Sequence, residues 1–133
     1  MAEINAFDRQ LSDFIWMATT YLRAGYSLQQ IFEHLATEAP QPTATACSRL
    51  LADLNNGMVL SEALVNWEKN NPSAFLPEIV ATMLRQRSEG GNLAYMLEPM
   101  GEAIFQKVGS DKAFQPVMES LAENVRAALP DRS

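Results

Sequence analysis

The sequence predicts an all-α protein, a compact antiparallel bundle of six to seven helices built from helical-hairpin units. Apolar residues recur three and four positions apart in seven successive segments, which is the spacing of one helix face. Short turns rich in glycine, proline and serine separate these segments and favour antiparallel neighbours. No segment alternates apolar and polar residues for long enough to indicate a strand.

Glycine and proline delimit the first three helices. The first stripe ends before Gly25, because glycine readily accepts the left-handed conformation that follows a helix. Ser27 with Gln30 is a capping-box pattern that starts the second helix, and the prolines within 40–42 end it. The third stripe stops at Gly57. The predicted core positions are Phe7, Leu11, Phe14, Ile15, Ala18, Tyr21, Leu22, Leu28, Ile31, Phe32, Leu35, Ala46, Cys47, Leu50, Leu51 and Leu54.

The later helices follow the same logic. Pro77 is tolerable in the first turn of the fifth helix. Gly90-Gly91 ends that helix, and Asn92 can cap the sixth. Pro99 lies inside the sixth helix and predicts a kink or a break, and Gly109 precedes a seventh, amphipathic helix. The predicted core positions here are Ala63, Leu64, Trp67, Leu76, Ile79, Val80, Met83, Leu84, Leu93, Met96, Leu97, Met100, Ile104, Phe114, Val117, Leu121 and Val125.

Composition places the chain among soluble globular domains. Its 133 residues are 47% hydrophobic and 20% charged, enough for one domain with its own core. A membrane-spanning helix needs roughly 20 mostly apolar residues, and none is found. The N-terminus does not resemble a signal peptide. A single cysteine, Cys47, excludes an internal disulfide and suits a reducing compartment.

The charge argues against nucleic acid and anionic lipid as partners. The formal net charge is −6, with only 10 lysines and arginines, and a polyanion needs a dense basic patch. The tightest basic group is Arg85 with Arg87, and Glu89 lies beside it. We expect no nucleic-acid binding and no direct insertion into a membrane.

No residue pattern supports catalysis, a metal site or a cofactor. His34 and Glu38 are four residues apart, but two ligands do not make a site, so a surface or half-buried structural histidine is expected. Cys47 lies in an apolar stripe and is expected to be a buried, inert thiol. Gly90-Gly91 lacks the other residues of a phosphate-binding loop. Glu89 and Glu98 could be paired carboxylates, but no pocket is indicated around them.

The large apolar residues are interpreted first as core. Trp16 and Trp67 are both assigned to packing, with docking of a partner as the alternative. Met83, Met96 and Met100 have core spacing as well, although methionines can also form an adaptable contact surface.

One turn pattern recurs three times. Gly25 precedes Leu28, Gly57 precedes Leu60, and Gly91 precedes Leu93, and each leucine opens an apolar i, i+3, i+4, i+7 set. The leucines are 32 and 33 residues apart. Such a period can mark stacked helical units, but any antiparallel bundle also needs glycine stops and apolar faces.

The residues of these turns resemble the type II secretion system F domain. The similar segments are Leu22–Leu28, Asn56–Leu64 and Arg87–Ala94, in the same order, and the resemblance covers roughly residues 10 to 108. It is closest to the tight-adherence branch. The resemblance implies a compact bundle of about six helices, which in that family faces the cytoplasm and is anchored by transmembrane helices.

The resemblance also implies a role without chemistry. The family includes inner-membrane platform proteins of type II secretion systems, type IV pili and tight-adherence pili, thought to couple a secretion ATPase to the assembling pilus. We therefore expect a cytoplasmic scaffold that docks such an ATPase and membrane assembly proteins, with homodimerisation plausible. Expected organisation is a family-like bundle over 1–108, an additional C-terminal helix over 109–129 and a loose tail over 130–133. Arg85, Arg87 and Glu89 are the candidate partner contacts.

This sequence also departs from the family. It lacks transmembrane segments and the basic stretches usual beside them, which indicates either an excised piece or a stand-alone relative. One alternative is a helical-repeat adaptor unrelated to secretion. Another is an enzyme or small-molecule binder, which would need a deep pocket around His34, Trp67 or Glu98.

Overall fold

Seven α-helices build the fold in this computed structural model, which describes residues 4–86 and 91–128. The helices are α1 (Leu11–Arg23), α2 (Leu28–Glu38), α3 (Thr43–Asn55), α4 (Leu60–Asn70), α5 (Leu76–Gln86), α6 (Gly91–Val108) and α7 (Gln115–Ala128). Single 3-10 turns, Asp8–Gln10 and Lys112–Phe114, lead into α1 and α7. No strand occurs within the described ranges, and the predicted all-α class is confirmed.

Helix α1 is the centre of the bundle. Its apolar stripe is buried as predicted, but Ser12, Asp13 and Thr19 on its other sides are at most 7% exposed as well. Helix α1 packs most extensively against α6, and it also contacts α2 and α7. A helix enclosed this way leaves only a narrow face to solvent.

The packing of α1 on α6 closes the bundle. Each of α2 to α5 contacts the helix that follows it, and α6 returns to α1. In a solenoid each unit would contact only its neighbours in the chain. The 32- and 33-residue spacing therefore belongs to helical hairpins in a closed bundle, not to an open stack.

Aromatic rings fill the core between α1, α2 and α4. Trp67 is 1% exposed and lies against Phe7, Phe14 and Phe32, with ring centroids 6.1, 5.6 and 5.0 Å away. Phe14 and Phe32 are themselves 5.8 Å apart. Aromatic pairs at such distances add about 0.5–1.5 kcal/mol each to the stabilisation from burial. This cluster ties the chain before α1 to the second and fourth helices.

Helix α6 has neither a break at Pro99 nor its cap at Asn92. The helix runs without a break through Pro99, which is exposed, as is Tyr95. The missing N–H of Pro99 deprives the Tyr95 carbonyl of its helical partner on a solvent-facing side, where water can replace it. Asn92 lies inside the first turn of α6 rather than at its cap position.

The last helix adds to the same core. Phe114, just before α7, is fully buried, and Leu121 within α7 is 1% exposed. Both belong to the cluster that contains the residues of α1 to α6. The predicted tail, residues 130–133, and the side chain of Val125 lie outside the described part of the chain.

Candidate functional site

The turn after α1 has a structural role, because it ends that helix. Gly25 has a φ of +95°. Its N–H donates to the Leu22 carbonyl at 3.0 Å, and the Tyr26 N–H donates to the Tyr21 carbonyl at 3.0 Å. This pair of bonds is the Schellman motif, completed by the Tyr21 and Tyr26 rings, whose centroids are 4.9 Å apart. A Cβ at Gly25 would meet no atom within 4 Å, so the backbone conformation alone calls for glycine.

The turn after α3 repeats that geometry. Gly57 has a φ of +97°, its N–H donates to Leu54, and the Met58 N–H donates to Asp53 at 3.0 Å. Asp53 Oδ2 also accepts from Asn66 Nδ2 at 2.8 Å, which joins the end of α3 to α4. The two turns fix helix ends and bring no polar groups together for chemistry.

The third turn lies largely outside the described residues. Of the predicted site residues, Arg87, Glu89 and Gly90 fall outside the described part of the chain. Gly91 is the first residue of α6, and Leu93 is 2% exposed in the core. Arg85 is exposed on α5, and its Nη2 lies 3.4 Å from the hydroxyl oxygen of Thr82.

His34 and Cys47 are both packed into the structure. The His34 ring stacks on Tyr21 with centroids 4.9 Å apart and an angle of 25°, and it also meets Tyr26 edge-on. Cys47 is fully buried, and burial raises the pKa of its thiol far above the ordinary value. Within residues 4–86 and 91–128, no three His, Cys, Asp or Glu side chains are grouped as a metal site would require.

Trp16 and Met96 are not core residues, contrary to the prediction. Trp16 is 44% exposed and Met96 is 39% exposed. At 100° per residue, Trp16 lies roughly opposite the centre of the apolar stripe of α1. It is the large apolar residue on the one face of α1 that the bundle leaves open.

That open face forms one wall of a groove, which we call the α1–α6 groove. Its volume is about 440 Å³. Helix α1 contributes Trp16, Thr20 and Arg23 along one side, at i, i+4 and i+7. Met118 of α7 also lines the groove.

Helix α6 contributes the other wall. Glu98, Gly101, Glu102 and Phe105 have the spacing i, i+3, i+4, i+7 and share one helix face. Phe105 is 47% exposed. The groove therefore places two large exposed apolar side chains, one from each helix, in a surface depression.

Gly101 allows the two helices to lie this close. A Cβ at this position would be 2.7 Å from Cγ2 of Ile15 and 3.2 Å from its Cβ. Ile15 is β-branched and 2% exposed, so it has little freedom to move away. Glycine is needed here for space, whereas at Gly25 it is needed for backbone conformation.

The groove carries an excess of negative charge. Arg23 and Glu98 form an ion pair across it, with side chains 52% and 62% exposed. A pair this exposed contributes little to stability, about 0–1 kcal/mol. Glu102 and Asp13 add two further carboxyl groups, and among the described residues the lining contains no second cation.

Asp13 lies at the floor of the groove and is 2% exposed. Burial raises the pKa of its carboxyl group to about 6, and the nearby Asp111 carboxylate acts in the same direction. The Asp111 backbone N–H, which donates to Asp13 Oδ2 at 2.8 Å, opposes that rise. Asp13 thus joins the connection between α6 and α7 to the central helix.

Two neighbours strengthen that joint. The Ser12 hydroxyl donates to the Gly109 carbonyl at 2.7 Å. Gln10 Nε2 donates to Asp111 Oδ2 at 3.0 Å, and hydrogen bonds to Asp111 lower the pKa of its carboxyl group. Gln10 also holds α3 in place, because its Oε1 accepts from Thr43 Oγ1 at 2.6 Å. These bonds satisfy polar groups that burial would otherwise penalise.

Sequence reasoning missed the groove, although part of its signal was present. The i, i+3, i+4, i+7 set on α6 lies next to the core stripe of that helix, and Trp16 lies off the stripe of α1. The apolar spacing in the sequence does not indicate that α1 pairs with α6. Of the residues expected to surround a deep pocket, only Glu98 lines this groove, whereas His34 and Trp67 do not.

None of the described helices combines the length and apolar character needed to cross a membrane. No curated protein and no solved structure matches the chain significantly. The family model for the type II secretion system (T2SS), protein F, matches residues 14–115, a range that includes both Schellman turns and most of the α1–α6 groove. On that match, the chain belongs to the type II secretion system protein F family.

Proposed function

We propose that this chain is a non-catalytic protein–protein interaction module of a secretion or pilus-assembly platform. The observation that carries the proposal is the family match over residues 14–115, more than three quarters of the 133-residue chain. In this role the bundle docks a secretion ATPase and membrane assembly proteins on the cytoplasmic side. The ATPase does the energy-consuming work, and the bundle positions the assembly components or transmits that work to them.

The surface of the bundle supports a docking role. Trp16 and Phe105 are both more than 40% exposed, and exposed aromatic residues frequently anchor interfaces. The resemblance of the turns to the tight-adherence branch favours a pilus platform of that kind. Arg85, Arg87 and Glu89 remain the proposed polar contacts beside the third turn.

Affinity capture tests the proposal directly. The chain, immobilised and cross-linked in an extract of its source organism, should retain a secretion ATPase and membrane assembly proteins identified by mass spectrometry. Recovery of neither would contradict the docking role.

The proposed contact at Arg85 has its own test. Arg85→Glu should reduce recovery several-fold, whereas Arg49→Glu, which reverses an exposed charge on α3, should leave it unchanged. Equal recovery by both variants would remove Arg85 from the interface.

A further inference from the structure

The α1–α6 groove has the dimensions of a site for a helix. Its α1 wall extends from Ser12 to Arg23, about 17 Å at 1.5 Å per residue, or three helical turns. The α6 wall is shorter, from Glu98 to Phe105, about 10 Å or two helical turns. A groove walled by two neighbouring helices can accept an elongated segment such as a third helix.

Apolar contact would come from the two sides of the groove. Trp16 on α1 and Phe105 on α6 are 44% and 47% exposed. Met118 of α7, which also lines the groove, adds an adaptable apolar surface. An amphipathic helix binds such a surface through apolar residues at i, i+3, i+4 and i+7.

Charge decides which occupant fits. Of the described residues that line the groove, Asp13, Glu98 and Glu102 are acidic and Arg23 alone is basic, and the Arg23 guanidinium already pairs with Glu98. The chain as a whole has 16 acidic and 10 basic residues, so a second copy would present mostly like charge to this surface. Complementary potentials favour a partner that is positively charged.

We propose that the α1–α6 groove binds a basic amphipathic helix of a partner protein. Its apolar face packs on Trp16 and Phe105, and lysine or arginine side chains beside that face pair with Glu102 and Glu98. This inference rests on the proposed function, because it takes the partner to be an assembly component, and it names the surface and the chemistry of the contact.

Selection from a displayed library of 18-residue helical peptides tests the groove without knowledge of the natural partner. The library varies both the apolar face and the flanking charges, and selection uses the full chain at about 150 mM salt, where long-range attraction is screened. We expect the enriched peptides to combine an i, i+3, i+4, i+7 apolar face with an excess of lysine and arginine. Enrichment of acidic peptides, or of none, would overturn the proposal.

Matched variants then locate the binding site. Phe105→Ala and Glu102→Lys should each weaken binding of a labelled selected peptide at least fivefold. Tyr95→Ala, which removes a 76% exposed aromatic ring from the same helix, and Glu33→Lys, an exposed charge reversal on α2, should change it less than twofold. Equal losses for Glu102→Lys and Glu33→Lys would show non-specific attraction and overturn the assignment to the groove.

A second copy as the occupant would have a different signature. Sedimentation would then show a concentration-dependent dimer of the wild type that Phe105→Ala abolishes, and this result would overturn the proposal. The affinity capture described above distinguishes failure of the groove inference from failure of the proposed function. If the Phe105→Ala chain still recovers the assembly proteins in full, the groove inference fails and the proposed function stands; if the wild type recovers none, the proposed function fails, whatever peptides bind.

Discussion

The two tryptophans of the chain stand in opposite surroundings. Trp67 is 1% exposed among three phenylalanine rings, whereas Trp16 is 44% exposed on the wall of a groove. Trp67 stays in the core although its Nε1 finds no hydrogen-bond partner among the described residues. Packing therefore outweighs an unsatisfied N–H at one site, while at the other an indole that could have been buried is left in contact with water.

This contrast separates two uses of one residue type. Around Trp67, large rings from different helices hold the bundle together. Trp16 instead lines the groove together with Thr20, Arg23 and the carboxylates of α6, and nearly half of its surface is in contact with water. Changes in the first region should be read out in stability, and changes in the second in binding.

The largest expected effect is from Trp67→Ala. It would empty the centre of the aromatic cluster and lower the free energy of unfolding by about 3–5 kcal/mol, measured by denaturant titration. Trp67→Phe keeps a ring and removes the unpaired N–H, so its cost should be smaller, under about 2 kcal/mol. Equal losses for the two variants would mean that a phenyl ring restores none of the packing, which would contradict this expectation.

Gly101→Ala should cause the next largest loss of stability, and it tests the close approach of α1 and α6. The added methyl group would collide with Ile15 and force α6 away from α1, at a cost of about 1–3 kcal/mol in unfolding free energy. Ile15→Ala removes the atom that is hit. The double variant should therefore lose less than the sum of the single losses; strict additivity would contradict the collision.

Asp13→Asn tests the floor of the groove through pH. Because burial raises the pKa of Asp13 from 3.8 to about 6, the folded state holds its proton to higher pH than the unfolded state does. The wild type should therefore lose stability relative to Asp13→Asn as pH rises from about 4 to 7. The difference in unfolding free energy between the two proteins should change by about 1–3 kcal/mol. Denaturant titrations at several pH values across that range would measure it. A difference independent of pH would contradict it.

Trp16→Ala should have the smallest effect on stability, about 0.5–1 kcal/mol, as for a partly exposed surface residue. The accessibility of its indole provides a direct check. In Trp67→Phe, the remaining Trp16 fluorescence should be quenched strongly by acrylamide, whereas in Trp16→Phe the remaining Trp67 should be protected. Equal quenching in the two variants would contradict the burial difference.

The sequence pattern was sufficient for the fold class and for most helix ends. Apolar spacing identifies the buried stripes, and glycine after Leu22-Arg23-Ala24 or Leu54-Asn55-Asn56 marks backbone positions with positive φ. These are local properties, decided within one or two turns of chain. The burial of Ser12, Asp13 and Thr19 is different, because it depends on which helices surround α1.

The errors at Trp16 and Met96 and the absence of a break at Pro99 share that cause. Whether Trp16 faces core or water depends on α6, whose residues lie far away in the sequence. A proline on the solvent side of α6 loses one hydrogen bond that water can replace, so the helix continues. The candidate groove could not be predicted for the same reason: its two walls are brought together only by tertiary packing.

The closure of α1 on α6 has a consequence during synthesis. Ile15 meets Gly101, 86 positions later in the chain. At about 5–20 residues per second, the ribosome needs roughly 4 to 17 s to make that interval. Throughout it, the most enclosed helix of the finished protein lacks its principal neighbour, so its apolar side chains would be available to chaperones before they are available to the core.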